Sequence, residues 1–250
     1  MMLKNHPIKI AVVIPAAGRG VRMNLGFPKQ YCKIGEKTMI EHTLSIFLDR
    51  PEISKIIVCI MDDDYLFRDL NISREPCVQV VVGGKKRVYS VLSGLNHLLK
   101  SSFDRFLTWV IIHDASRPCL RRSDLEKVVR FIFKNAGSTI CGGILANPVI
   151  NTIKRSTFKS GNIIEGTLDR KYLWNAMTPQ FFPLYLIQKC IVYSLSRNVI
   201  ITDDSSAMEL CGYHPEIIVG QSDNLKVTIE EDLKLAHFYL YDDDRRTFRS

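Results

Sequence analysis

Short apolar runs alternate along the chain with segments of helical periodicity, and this alternation constrains the fold more than any other feature. The runs are apolar throughout, which is typical of strands covered on both faces, as in a parallel sheet. The predicted strands are Ile8–Ile14, Lys55–Ile60, Val78–Val82, Leu107–Ile112 and Ser138–Ala146. We therefore expect an open α/β sheet that binds its ligands at the carboxyl ends of the strands.

The helical segments carry start signals and apolar faces. One predicted helix has a face made of Val88, Val91, Leu92, Leu95 and Leu99. Capping boxes are predicted at the pairs Thr38/Glu41, Ser123/Glu126 and Thr228/Glu231. The last of these helices is expected to end at about Tyr239. The acidic runs Asp62–Asp64 and Asp203–Asp204 are interpreted as helix starts or solvated loops in preference to metal sites.

The pattern changes around Asn147, where polar and β-branched residues surround a turn at Lys159–Gly161. This stretch predicts a hairpin that projects from the sheet as an arm at about 147–170. An isolated hairpin is marginal in water, so a second subunit is the candidate partner for the arm. We predict one domain over 1–241, arm included, and a solvated tail over 242–250.

Composition limits the class of protein. The net charge of +8 indicates a polyanionic partner, either nucleic acid or a phosphorylated small molecule. Nucleic acid is disfavoured because the basic residues form short clusters and not one stripe. The 7 cysteines show neither a CxxC pair nor metal-ligand spacing with histidine, which predicts buried thiols in a reducing compartment and no structural zinc.

The beginning of the chain loosely resembles a signal peptide, but its apolar stretch is short and contains Pro15. A buried strand explains this stretch better. No apolar run reaches the length of a membrane span. We expect a cytoplasmic protein that binds neither membrane nor nucleic acid.

The first predicted strand leads into PAAGRGVRMNLGFPKQY at residues 15–31. A dinucleotide fingerprint would need glycine where Met23 stands, and the Gly-Lys-Ser/Thr of a Walker A loop is absent. The stretch is then either a basic turn in water or a loop shaped around an anion. In the second case Gly18 and Gly20 permit close backbone approach, while Arg22 and Lys29 neutralise phosphate charge.

Two further predicted strands end in polar or glycine-rich residues. GGKKRVYSV (83–91) is a glycine turn that opens a helix, and IIHDASRP (111–118) places Asp114 where a carboxylate can hold a metal beside a triphosphate. Each has a simpler alternative: Ser90 as a first-turn residue, Asp114 as a turn cap and His113 as a buried, hydrogen-bonded histidine. Because the three loops would share one rim of the sheet, together they favour a site.

Six motifs follow one another from about residue 9 to 240: PAAGRGVRM…PKQY, GGKKRVYSV, HDASRP, TPQFF (178–182), TDDSSAMELCGYHP (202–215) and DNLKVTIEEDL (223–233). As a set they resemble the 2-C-methyl-D-erythritol 4-phosphate cytidylyltransferase family. The resemblance implies a Rossmann-like nucleotidyltransferase sheet, mostly parallel, with a projecting β-arm exchanged across a homodimer. It also implies Mg²⁺-dependent transfer from CTP to methylerythritol phosphate, with release of pyrophosphate, in non-mevalonate isoprenoid synthesis.

The resemblance implies roles for individual residues. The catalytic residues would be Arg22, Lys29, Arg170 and Lys226, with Asp114 near the metal and Arg170 reaching the active site of the partner subunit. The CTP-binding residues would be Ala16, Ala17, Gly18, Arg19, Gly20, Gly84, Lys85, Arg87, Ser90 and Asp114. The residues that bind methylerythritol phosphate would be Thr152, Arg170, Thr178, Thr202, Asp223 and Lys226.

Two positions depart from the family pattern: Lys85, where relatives often carry an acidic residue, and Ser116, where a second alanine is common. The expected reaction is in-line attack of the substrate phosphate on the α-phosphorus of CTP, which needs no protein nucleophile. Two alternatives stay open, a cytidylyltransferase for ribitol phosphate or another polyol phosphate, and a nucleotide-binding regulator without catalysis.

Overall fold

The computed structural model describes residues 8–18, 26–101, 108–156 and 163–242. The strands of this part are β1 (Lys9–Pro15), β2 (Lys33–Ile34), β3 (Lys37–Thr38), β4 (Ile53–Ile60), β5 (Val78–Val82), β6 (Thr108–Ile112), β7 (Gly143–Pro148), β8 (Ile153–Ser156), β9 (Ile164–Leu168), β10 (Trp174–Pro183) and β11 (Glu216–Val219). The α-helices are α1 (Met39–Leu48), α2 (Tyr65–Asp69), α3 (Arg87–Lys100), α4 (Arg122–Asn135), α5 (Leu184–Ser196), α6 (Asp204–Leu210) and α7 (Glu230–His237). Short 3-10 helices at Lys29–Tyr31 and Asn71–Arg74 and a π-helical turn at Phe238–Asp242 complete the described elements.

The largest sheet of the described residues has seven strands in the order β11-β7-β10-β6-β1-β4-β5. Strand β1 runs parallel to both of its neighbours, with Val12 opposite Ile56 on β4 and Ile111 on β6. Strand β10 is antiparallel to β6 and β7. The predicted α/β fold with a mostly parallel sheet is therefore confirmed.

Helices cover both faces of this sheet, which explains why its central strands are apolar throughout. On β1, Ile10, Val12 and Ile14 pack in one cluster with residues of α1 and α4. Ala11 and Val13 point to the other face and pack with residues of α3, α5 and α6. Successive residues of one strand thus enter two separate cores.

Two strand predictions need correction. The predicted strand Ser138–Ala146 begins only at Gly143, because the Ser138 hydroxyl donates to the Asn135 carbonyl and accepts from the Ile140 N–H in a local turn. Strand β10 was not predicted, since Pro179 argues against a central strand. The ladder between β10 and β7 shifts register between Ala176 and Gln180, so the strand carries its proline at this irregularity.

The first predicted helix start is confirmed. Thr38 accepts a hydrogen bond from the Glu41 N–H, and the Glu41 carboxylate accepts one from the Thr38 N–H at 2.8 Å. Asp64 and Asp203 also cap helices, as expected for the two acidic runs.

The other two capping boxes are wrong. Helix α4 begins at Arg122, which puts Ser123 inside its first turn, and Asp124 accepts a hydrogen bond from the Gln221 N–H at 2.7 Å. Helix α7 begins at Glu230 and ends at His237. Its capping carboxylate is Asp232, which accepts from the Thr228 N–H at 2.7 Å. At the start of α4 a contact with a distant part of the chain overrides the predicted capping box. At the start of α7 a neighbouring carboxylate, Asp232, takes the place of the predicted Glu231.

The arm is present as a two-stranded antiparallel hairpin of β8 and β9, with Ile153 opposite Leu168. Its predicted turn at 159–161 and residues 243–250 of the predicted tail lie outside the described residues.

All seven cysteines are free, and five of them are buried. No helix of the described part is long and apolar enough to cross a membrane.

Candidate active site

Three loops meet where β1, β5 and β6 end. The first residues of each loop extend the strand by one more backbone hydrogen bond to a neighbouring strand. The Ala16 N–H donates to the Cys59 carbonyl at 2.8 Å, the Gly83 N–H to the Ile60 carbonyl at 2.7 Å, and the His113 N–H to the Val13 carbonyl at 3.1 Å. The loops enclose a cleft of about 390 Å³, whose lining includes Ala16, Ala17, Gly18, Lys29, Gly84 and Ser90. We call this cleft the first compartment.

The glycine loop after β5 forms one wall of the first compartment through its backbone. A Cβ atom on Gly83 would lie 2.7 Å from that of Ala17, and one on Gly84 would lie 2.3 Å from that of Tyr89. The Gly84 N–H donates to the Ser90 hydroxyl at 3.0 Å, and this hydroxyl reaches the Gly84 carbonyl at 3.2 Å. Ser90 is buried and braces the loop. Because an added Cβ atom would collide with Ala17 or Tyr89, close packing at this wall requires glycine.

Lys29 brings a positive charge to the first compartment from the 3-10 helix that follows β1. Its Nζ donates to the Val227 carbonyl at 2.6 Å. The Val227 N–H donates in turn to the Ser116 carbonyl at 2.8 Å, which ties residues 226–228 to the loop after β6. Segments from the two ends of the chain therefore close one side of the cleft.

Asp114 is the centre of the charged cluster behind the cleft. Its Oδ1 lies 2.7 Å from Arg87 Nε and its Oδ2 lies 2.8 Å from Lys226 Nζ, with Arg117 Nε at 3.7 Å from Oδ2. Burial alone would raise the pKa of Asp114, but Arg87, Lys226 and Arg117 outweigh burial and hold the pKa far below its ordinary value. Asp114 is therefore ionised at any physiological pH.

Asp204, at the first position of α6, pairs with the same Arg87. The guanidinium donates to both carboxylate oxygens, Nη1 at 3.0 Å and Nη2 at 2.8 Å. Asp204 is fully buried, and burial raises its pKa although Arg87 opposes this. Because three N–H donors of Arg87 are engaged with carboxylates, this side chain joins Asp114 to α6.

A second compartment of about 490 Å³ opens on the other side of this cluster, between β10 and α6. Its lining includes Trp174, Thr178, Thr202 and Ser206, and Arg87, Asp114 and Lys226 line both compartments. Gln180 braces this side, since its amide donates to Asp203 at 2.7 Å and accepts from the Ser205 N–H at 2.9 Å. The charged cluster is thus the shared wall of two adjoining clefts.

His113 lies behind the cluster and is fully buried. Burial lowers its pKa from 6.5 to about 4, so the ring is neutral at pH 7. Its ring and that of Phe47 are packed edge to face, with the ring centroids 5.5 Å apart.

The structure brings together most of the predicted site residues that it describes. Those lining the first compartment are Ala16, Ala17, Gly18, Lys29, Gly84, Lys85, Arg87, Ser90 and Asp114. Thr178 and Thr202 line the second compartment, and Lys226 lines both.

Three predicted residues lie apart from both compartments. Thr152 and Arg170 are exposed on the arm. Asp223 is buried in an ion pair with Arg121 and faces a different groove. The predicted Arg19, Gly20 and Arg22 lie outside the described residues.

The sequence reasoning missed Arg117, Gln180 and Asp204. Arg117 stands in the HDASRP motif, three residues after Asp114, so the motif itself was an available signal. Asp204 was interpreted only as part of a helix start, and its partner Arg87 is 117 positions away in the chain.

A metal at this site would meet a single protein carboxylate. Residues 8–18, 26–101, 108–156 and 163–242 contain no group of three or more His, Cys, Asp or Glu side chains that could hold a metal ion. Mg²⁺ in nucleotide enzymes uses one or two carboxylates together with substrate phosphates. Asp114, ionised and lining the first compartment, fits a Mg²⁺ that binds together with a polyphosphate.

The family model described as 2-C-methyl-D-erythritol 4-phosphate cytidylyltransferase (IspD) matches residues 10–242. The chain belongs to this family. The cytidylyltransferase of this name from Photorhabdus laumondii is 47% identical over 240 residues, which cover 96% of this chain and 98% of the relative. That of Blochmanniella pennsylvanica is 47% identical over 239 residues, covering 96% of this chain and 97% of the relative.

Solved structures agree with this assignment. The crystal structure of the Francisella tularensis 2-C-methyl-D-erythritol 4-phosphate cytidylyltransferase superposes with a TM-score of 0.76 at 31% identity, over 92% of this chain and 99% of that chain. A crystal structure of a 4-diphosphocytidyl-2C-methyl-D-erythritol synthase gives a TM-score of 0.78 at 32% identity, over 93% and 99% of the two chains. The family predicted from the six motifs is confirmed, and the chain is a nucleotidyltransferase of isoprenoid synthesis that acts on 2-C-methyl-D-erythritol 4-phosphate.

Proposed function

We propose that the enzyme transfers the cytidylyl group of CTP to the phosphate of methylerythritol phosphate, with the nucleotide in the first compartment and the sugar phosphate in the second. The observation that carries this proposal is the shared wall of Arg87, Asp114 and Lys226 between the two clefts. A reaction between two bound phosphates requires adjoining sites with positive charge at their boundary.

The first compartment suits a nucleotide because its wall is mostly backbone and small residues. The Gly84 and Ala16 carbonyls each accept one internal hydrogen bond and keep a second lone pair, with which they could recognise the edge of a cytosine ring. Lys29 supplies charge for the triphosphate. We assign Arg19, Gly20 and Arg22 to the same triphosphate site from their place in the PAAGRGVRM motif.

The second compartment suits a phosphorylated polyol because hydroxyl side chains stand beside a partly exposed lysine. Arg87, Arg117 and Lys226 line it together with the carboxylates Asp114, Asp203 and Glu209, so the positive charge available to a ligand is local to Lys226. Lys226 Nζ is the partly exposed end of this cluster, with 39% of its side chain accessible. A phosphate dianion placed beside Lys226 would be neutralised in part before it meets CTP.

In the reaction an oxygen of the sugar phosphate attacks the α-phosphorus of CTP, and the bond from this phosphorus to the bridging oxygen of pyrophosphate breaks. Lys29 and Arg22 offset the negative charge that develops on the α-phosphate and the leaving group. Lys226 and Arg170 hold the attacking phosphate in line. No side chain needs to form a covalent bond with the substrate.

Asp114 would hold Mg²⁺, which, when bound, offsets charge on the phosphate oxygens. Because both Asp114 oxygens face cations, Mg²⁺ would bind there together with CTP, whose phosphate charges offset the repulsion between the metal and these cations.

We also propose a cytoplasmic homodimer joined by the arm. The arm region exposes large apolar side chains, with Ile150 at 74%, Tyr172 at 78% and Ile164 at 60% accessibility. A partner subunit would cover them and would receive Arg170. The free, mostly buried cysteines suit a reducing compartment.

Mixing two inactive variants tests the shared site. If Arg170 acts on the partner's site, Arg170→Ala and Lys29→Ala chains form mixed dimers with one intact site each. Random exchange at equal concentrations then restores about a quarter of wild-type activity. Activity no higher than that of the separate variants would contradict a shared site.

Pyrophosphate release tests the reaction itself. We expect release with CTP, Mg²⁺ and methylerythritol 4-phosphate, and none with ribitol 5-phosphate in its place. Release with ribitol 5-phosphate alone would support the polyol-phosphate alternative. Binding of CTP without release from either acceptor would favour the regulator.

A further inference from the structure

The two ring nitrogens of His113 contact two different kinds of group. Nε2 lies 3.1 Å from the Arg117 carbonyl oxygen, and Nδ1 lies 3.1 Å from the Thr178 hydroxyl. A carbonyl oxygen can only accept, so Nε2 must carry the proton of the neutral ring. Nδ1 is then a bare acceptor, and the Thr178 hydroxyl donates to it.

The chain of hydrogen bonds continues to the catalytic loop. The Asp114 N–H donates to Thr178 Oγ1 at 3.1 Å. Because the hydroxyl hydrogen is engaged with His113, a lone pair of Thr178 is turned towards this amide. The Arg117 carbonyl oxygen can only accept, and this determines which group donates in each of the three hydrogen bonds that lead through His113 and Thr178 to the Asp114 amide.

These contacts join two parts of the site that the chain does not connect locally. Thr178 lies on the antiparallel strand β10, while residues 113–117 form the turn after β6, closed by the Arg117 N–H to the Asp114 carbonyl at 3.1 Å. The Asp114 carboxylate of this turn meets Arg87 and Lys226 at the shared wall.

We infer that His113 is a positioning residue: its Nε2–H tautomer orients the Thr178 hydroxyl, which fixes the main chain of Asp114 and thereby the carboxylate at the shared wall. The kinetic part of this inference rests on the proposed function. The tautomer itself does not. The simpler alternative is a core histidine that contributes only to stability, since its ring also packs on Phe47.

The tautomer can be measured directly by ¹⁵N NMR of histidine-labelled protein, with the His113 signal assigned as the one that persists when the other histidines are replaced in turn. We expect one neutral tautomer near pH 7, protonated at Nε2 and bare at Nδ1. A ring protonated at Nδ1 would overturn the inference, because Thr178 could then no longer donate to it. This measurement remains decisive if substitutions at His113 prevent folding, and it stands even if the enzyme releases no pyrophosphate.

Two variants separate positioning from packing. His113→Phe keeps a ring against Phe47 but removes both hydrogen bonds, whereas His113→Asn offers an amide oxygen near the position of Nδ1. We expect kcat to fall about 10- to 100-fold in the Phe variant, as for other residues that orient an active-site group. The KM for CTP should stay within a few-fold, and the Asn variant should recover at least several-fold of the lost kcat.

His42 provides the matched control. Its Nε2 also contacts a carbonyl oxygen, that of Ile34 at 2.8 Å, but it lines neither compartment. His42→Phe should keep a wild-type kcat. An Asn variant at position 113 that is no more active than the Phe variant, at equal folded fraction, would contradict the positioning role.

Discussion

The two compartments of the site are built in different ways. The first is formed by short loops that leave the carboxyl ends of the parallel strands β1, β5 and β6, and much of its wall is main chain. The second takes Thr178 from the antiparallel strand β10, Thr202 from the segment before α6 and Lys226 from beyond β11. Local chain geometry thus makes most of the first compartment, apart from the side closed by residues 226–228, and long-range packing makes the second.

This difference has a chemical consequence. The first compartment depends on the absence of side chains at Gly83 and Gly84, so substitutions there act mainly through steric conflict. The second depends on charges and hydroxyl groups held in place by buried ion pairs such as that of Arg87 with Asp204. Substitutions there act through charge and orientation.

The largest loss of stability is expected when an ion pair of the shared wall is broken. Asp204→Ala leaves Arg87 without its bidentate partner, and breaking a buried ion pair costs about 3–5 kcal/mol of unfolding free energy. Urea unfolding measures this loss. Arg130→Ala, which removes an exposed ion pair with Glu126 on α4, serves as the control and should cost about 0–1 kcal/mol. Equal losses in the two variants would show that Asp204 does not hold the wall together.

Lys29→Ala removes a positive charge from the first compartment and should lower kcat. Loss of one group that stabilises developing charge lowers kcat by about 10²–10³-fold. Pyrophosphate release at saturating concentrations of both substrates gives this value, with the exposed Lys33→Ala on β2 as the control. A Lys29→Ala variant with near-wild-type kcat would remove Lys29 from the proposed mechanism.

Lys226→Ala should affect the second compartment more than the first. Loss of one charged hydrogen bond to the sugar phosphate costs about 1.5–3 kcal/mol, which raises the KM for methylerythritol phosphate by about ten- to one-hundred-fold. The KM for CTP should change much less. The opposite pattern, a rise confined to CTP, would place Lys226 on the nucleotide side of the wall.

Gly84→Ala tests the steric account of the first compartment. The new Cβ would lie 2.3 Å from that of Tyr89, so the loop must move. Strain of about 1–3 kcal/mol would lower kcat/KM for CTP by about 5- to 150-fold. Gly166→Ala on the arm, where nothing lies within 4 Å of the added atom, is the matched control. Equal activity of the two variants would contradict the backbone wall.

The first compartment could be predicted from local sequence, and the second could not. Apolar runs ending in glycine or in Asp114 indicate strand ends on one rim, and the structure brings those loops together. Thr178 and Thr202 entered the prediction only through the family resemblance, because Pro179 hides the strand that carries Thr178. The pairing of Arg87 with Asp204 joins residues 117 positions apart and leaves no local signal.

The central claim is that the two substrates occupy the two compartments on either side of Arg87, Asp114 and Lys226. A crystal structure with the reaction product bound tests it most directly. We predict the cytosine ring beside Gly84, the polyol beside Thr178 and Thr202, and the diphosphate at the shared wall. A product lying entirely within one compartment, or with its two ends exchanged, would contradict the account.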